Sequence, residues 1–212
     1  MALVERNYTL DFLAGDRREK AILQHMVVSL FAGMLLGGLG VLLSYGPEPL
    51  YSVYNPYAYI LFVVMVGRSA AGFGWALLAG ALAAFGPLIS SLAVSILHAE
   101  DRFGGLGGSG TIMNLMLATL VSFGVLSCLT RREDLWGDLA GGVLAGLVAV
   151  VGMNGAMPGR TDLLAFWPWN VTTVSVLVLG LVLTLRRGWG WVRSGAVALV
   201  IASADFLFAA SF

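Results

Sequence analysis

Seven apolar stretches, each about the 20 residues that one bilayer crossing requires, follow one another along this chain with only short connections between them. No other feature narrows the fold as much. Inside lipid no water satisfies backbone N–H and C=O groups, so an apolar segment there must close its hydrogen bonds within itself as a helix. The chain is 58% hydrophobic and 11% charged, against roughly 25% charged residues in a soluble domain. A chain so poor in charge lacks the polar surface to face water on all sides. The sequence therefore predicts an all-α polytopic transmembrane bundle of about seven helices.

The expected spans are Ala21–Ser44, Val53–Ala70, Trp75–Leu97, Thr111–Thr130, Leu135–Asn154, Trp169–Leu185 and Trp191–Ala210. Residues 53–97 carry Arg68 as their only charge and are long enough for two crossings. A turn between Gly67 and Gly74 divides them, with Gly72 and Gly74 permitting a tight bend. Without that turn the count is six. Residues 1–20 form an N-terminal segment of mixed charge, with no small-residue cleavage site after a short apolar core as a signal peptide has. Residues 21–212 form one transmembrane domain.

Basic residues set the expected orientation. Seven spans place Arg6, Arg17, Arg18, Lys20, Arg68, Arg131, Arg132, Arg186, Arg187 and Arg193 on one side and only Arg102 and Arg160 on the other. The positive-inside rule then puts the N-terminus in the cytoplasm and the C-terminus outside, as in the plasma (inner) membrane of a prokaryote. Net charge is formally zero with no basic run, which gives nucleic acid no binding face.

Helices in lipid associate by close packing, so small residues mark their contacts. Gly33 and Gly37 share a face of the first helix. Ala76, Gly80 and Ala84 share one on the third, and Gly137/Gly141 and Gly142/Gly146 mark the fifth. Internal packing is their expected use. Gly190 reads as a loop residue with room for a side chain. Pro87 is expected to bend the third helix and free a carbonyl.

Candidate chemistry is sparse. The loop Gly105–Thr111 echoes a phosphate-binding loop but lacks the lysine before Thr111 that the motif requires. His98, Glu100 and Asp101 are adjacent only in sequence. Cys128 is the single cysteine, and no metal-ligand spacing or cofactor motif is present. An intramembrane enzyme ranks last for want of a nucleophile, base or metal set. Intramembrane polar residues are costly and so informative. Asp205 reads as a proton or cation relay or a ligand contact, or as an interfacial acid that reaches water, and Asn114 and Asn154 as solute contacts or as groups that cap and bridge helices.

The outer face is more distinctive. Five of the six tyrosines lie at positions 45–59 around Asn55-Pro56, and Trp167, Trp169 and Asn170 surround Pro168. An interfacial aromatic belt accounts for such residues. A small-molecule pocket between the two segments, lined by Tyr51, Tyr54, Asn55, Tyr57, Trp167, Trp169 and Asn170, also fits.

The stretch Gly72-Phe73-Gly74-Trp75-Ala76-Leu77-Leu78-Ala79-Gly80-Ala81-Leu82, continuing to Gly86-Pro87, resembles the substrate-binding S components of energy-coupling-factor transporters. Those usually have six helices, one fewer than read here. The resemblance implies a small vitamin-like solute bound near the outer face and an external ATPase module as partner. The expected function is a solute-binding or transport component. The alternative is a non-catalytic membrane subunit or scaffold that binds partner membrane helices.

Overall fold

The computed structural model describes residues 2–98, 110–156, 167–186 and 188–210. It is all-α. The helices are α1 (Ala2–Ser44), α2 (Glu48–Tyr54), α3 (Tyr57–Ser69), α4 (Phe73–His98), α5 (Gly110–Leu129), α6 (Leu135–Ala156), α7 (Trp167–Leu185) and α8 (Gly190–Ala210). Seven of them correspond to the expected spans, and α2 is a short addition. Four helices contain stretches long and apolar enough to cross a membrane: Arg18–Ser44, Phe73–Ser90, Leu135–Gly152 and Gly190–Phe208. The protein is a multi-pass integral membrane protein.

Two boundaries differ from the expected ones for identifiable reasons. α1 is continuous from Ala2 to Ser44, 43 residues, or about 65 Å at 1.5 Å per residue. That is roughly twice the hydrocarbon thickness of a bilayer, so its charged N-terminal half extends beyond the apolar layer. The expected span Val53–Ala70 is split at Asn55-Pro56. Proline has no N–H and disfavours helical backbone in the residue before it. Asn55 accordingly takes an extended conformation, φ −102° and ψ 119°. The turn between the second and third expected spans falls at 70–72, where Ala70 is extended at ψ 147°, within the predicted glycine region.

Small residues set which helices pack closely. α1 lies along α4, with Gly33 and Gly37 facing Ala83, Gly86 and Pro87. A Cβ on Gly33 would sit 2.7 Å from the Ala83 carbonyl oxygen, and one on Gly37 would overlap Pro87. Pro87 cannot donate to that Ala83 carbonyl, so the oxygen freed by the proline faces the Gly33 backbone. α4 runs on through Pro87 to His98. Ser90 braces the same contact by donating to the Met34 carbonyl at 2.5 Å. Gly67 of α3 meets Gly124 of α5, and Gly80 of α4 approaches Gly124 too, its added Cβ lying 3.7 Å from the Gly124 Cα.

On the other side, Gly142 and Gly146 of α6 admit Val197 and Ile201 of α8, where an added Cβ would fall 2.6 and 2.9 Å from their Cβ atoms. The small-residue faces read from the sequence are thus occupied by internal contacts. Gly190 departs from its expected role. It opens α8, and a Cβ there would lie 2.6 Å from Asp138 Oδ1.

The central core joins Ile60 and Val63 of α3, Leu120 and Phe123 of α5, Leu144 and Val148 of α6, and Leu181 of α7. Leu35, Leu42, Met65, Val176, Leu199 and Leu207 are exposed. In water that surface would drive aggregation, whereas in a bilayer it is the lipid contact.

Candidate functional site

Of the basic residues that the sequence assigns to one side, Arg68, Arg131, Arg132, Arg186 and Arg193 meet at one end of the bundle. His25 Nε2 of α1 lies 3.3 Å from the Val66 carbonyl near the end of α3. Arg68 donates to Thr130 Oγ1 at 2.9 Å, and Arg131 donates to the Ala70 carbonyl at 2.6 Å. These bonds tie the α3–α4 turn to the end of α5.

At the centre of this end is a buried ion pair. Asp138, in the first turn of α6, is 5% exposed, and Arg186, just after α7, is 8% exposed. Arg186 Nη2 donates to Asp138 Oδ1 and to the Asp134 carbonyl at 3.2 Å. Its Nη1 donates to the carbonyls of Arg132 at 2.6 Å and Thr130 at 3.2 Å. The guanidinium therefore ties together carbonyls of the α5–α6 connection, including the Asp134 carbonyl that also accepts from the Gly137 and Asp138 N–H groups at the start of α6. Asp138 is an anion at the α6 N-terminus, which suits that pole of the helix. Its Oδ2 lies 3.4 Å from Arg193 Nη1, and Ser194 donates to its carbonyl at 2.8 Å.

Two glycines make room for the pair: a Cβ on Gly137 would approach Arg186 Nη1 to 2.7 Å, and Gly190 borders Asp138. Asp134 caps α6 by accepting from the Gly137 N–H at 3.1 Å. The hydrogen bond from Arg132 beside it holds the Asp134 carboxyl below the usual range for an aspartate.

Beside the ion pair lies a cavity of about 610 Å³ between the ends of α3, α5 and α7, with Arg68, Thr130, Arg131, Glu133, Thr184 and Arg186 in its walls. The sequence reading used these arginines only to orient the chain and did not single out Asp138. The available signal was an acid inside the otherwise apolar stretch Leu135–Asn154, with Arg186 at the end of another.

The aromatic end is built differently. Asn55 Nδ2 donates to the Tyr51 hydroxyl at 2.9 Å, and the Tyr54 hydroxyl donates to the Leu36 carbonyl of α1 at 2.7 Å. Tyr54 and Tyr59 meet edge to face with ring centroids 5.6 Å apart. Tyr57 is buried at 5% exposure. α2 borders α7, which begins at Trp167. The two segments predicted to frame a pocket thus belong to neighbouring helices.

The side chains of Trp167, Trp169, Asn170 and Asn154 lie outside the described residues, as do residues 99–109 with Glu100, Asp101 and most of the glycine-rich loop. Asn114 is exposed on α5. Asp205 of α8 has a buried Oδ2 with no hydrogen-bond partner among the described residues. Comparison with family models, with curated proteins and with solved structures gives no match.

Proposed function

We infer that this integral membrane protein is a solute-binding or transport component of a prokaryotic plasma membrane, with its N-terminus in the cytoplasm and its solute site at the aromatic end. The observation that carries the reading is the border between α2 and α7, since a pocket framed by the Tyr51–Tyr59 and Trp167–Asn170 segments requires those helices to be neighbours. Aromatic rings with a few amides suit a small, partly apolar solute. Asn55 keeps its carbonyl oxygen and Tyr51 its hydroxyl proton for such a ligand, because their mutual bond uses only an amide N–H and an oxygen lone pair. The likeness of Gly72–Leu82 and Gly86-Pro87 to transporter S components extends the proposal to a vitamin-like solute and an external ATPase module.

A scaffold that binds partner helices is the second reading. It draws on an apolar groove of about 560 Å³ between α6, α7 and α8, lined in part by Gly195, Ala196 and Ala202. Against it, the glycine faces of α1 and α6 are already filled by α4 and α8. The test is native mass spectrometry of the protein purified from its own membrane. A small molecule retained by the wild type and lost from folded Tyr51→Ala and Trp169→Ala variants supports solute binding. A stoichiometric protein partner without any small molecule overturns it in favour of the scaffold.

A further inference from the structure

We propose that the cavity walled by Arg68, Thr130, Arg131, Glu133, Thr184 and Arg186 binds a phosphate-type oxyanion. Three guanidinium groups and one carboxylate line it. Asp138 offsets the charge of Arg186. Among the described residues, Arg68 and Arg131 have no such partner. Their bonds among the described residues go to neutral oxygens, Thr130 Oγ1 and the Ala70 carbonyl. Each spends Nη1 there and keeps its Nη2 and Nε donors. Glu133 is the one carboxylate among the described lining residues, which leaves the walls net positive.

The hydroxyls do not compete for the ligand. Thr130 Oγ1 donates to the Ser127 carbonyl at 2.6 Å and accepts from Arg68, while Thr184 Oγ1 donates to the Gly180 carbonyl at 2.6 Å. Recognition therefore falls to Arg68 and Arg131, whose planar forks match the paired oxygens of a phosphate better than any ammonium does, while Arg186, with both Nη groups engaged, contributes positive charge. Arg186 cannot drift away, because carbonyls of the α5–α6 connection and Asp138 hold it.

A volume of about 610 Å³ falls within the range of small-molecule sites, so there is room for more than the phosphate group. An anionic lipid headgroup and a soluble phosphate share this chemistry. Both can reach the end of a bundle at a membrane interface.

The full-length protein is placed in nanodiscs of phosphatidylcholine and titrated with inorganic phosphate against sodium chloride at equal ionic strength, following thermal unfolding by tryptophan fluorescence. A second set of nanodiscs contains phosphatidylglycerol in place of part of the phosphatidylcholine. Stabilisation by inorganic phosphate in phosphatidylcholine discs supports the site and identifies a soluble ligand. A response confined to phosphatidylglycerol supports it and identifies a headgroup. Arg68→Gln should weaken the response by roughly tenfold or more in affinity, the value of one charge-assisted bond. Arg18→Gln, an equal charge change on exposed α1 surface, should leave it intact.

Should Arg68→Gln fail to fold, Arg68→Lys keeps the charge but loses the fork and should still bind several-fold more weakly. No response to either anion overturns the proposal. So does an Arg68 variant that responds like the wild type, or an Arg18→Gln protein that loses as much as Arg68→Gln.

Discussion

Replacing Asp138 by Asn removes the carboxylate that faces the Arg186 guanidinium and presents an amide in its place. Both partners are more than nine-tenths buried, so water cannot take over the lost interaction. Removing one member of a buried pair typically costs about 3–5 kcal/mol. Arg186 retains the carbonyls of Thr130, Arg132 and Asp134, which places the expected loss near the lower end, about 3 kcal/mol. A double-mutant cycle of Asp138→Leu with Arg186→Met, measured beside Asp138→Asn, separates the pair from these carbonyl contacts. Asp138→Leu combined with Arg186→Met exchanges two buried charges for apolar groups, a change that is often close to neutral. Here it also removes the bonds to the carbonyls of the α5–α6 connection, so some loss remains.

The double variant should therefore be more stable than the sum of the two single changes predicts, by about 2 kcal/mol or more. Equilibrium unfolding of detergent-solubilised protein, followed by helical circular dichroism, supplies the four stabilities. Additive losses, or an Asp138→Asn cost below about 0.5 kcal/mol, would refute the argument that this pair holds α6 to the end of α7.

Three further expectations use other parts of the bundle. Gly33→Leu should lower thermal stability in detergent by about 1–3 kcal/mol, because its Cβ meets the Ala83 carbonyl. Gly38→Leu on the same helix, where an added Cβ meets nothing within 4 Å, should be neutral or stabilising, and equal effects would remove the close-contact reading of α1 and α4. Reporter fusions at Glu100 and Glu133 should lie outside and inside the cell respectively, and a shared side would sink the seven-span orientation.

The Asp134 carboxyl sits below its ordinary value, chiefly through the Arg132 hydrogen bond. Its contribution is complete above the unfolded aspartate value of about 3.9 and is lost as pH falls from there through the lowered folded value. Asp134→Asn should therefore flatten the acid side of the stability profile slightly, and an unchanged profile would count against the bond.

The apolar helices and most of their ends were legible in the sequence, the start of α1 and the break at Asn55-Pro56 excepted, because lipid leaves an apolar segment of span length few alternatives to a helix. The ends of α1 at Ser44 and α7 at Leu185, and the start of α6 at Leu135, fall where the apolar runs stop. Glycine spacing marked the close contacts because only a missing side chain lets two backbones approach in this way. The partners of those faces were not legible. In water the apolar stripe of a helix points to the core, but here lipid-facing Leu35 and core-facing Leu144 are equally apolar, so composition around a helix does not say which side meets a neighbour. Gly33 against Ala83, α2 beside α7, and Asp138 with Arg186 join residues far apart in the chain. Such pairs exist only once the helices have chosen their neighbours, and that choice rests on the shape fit of many small contacts that no local pattern records.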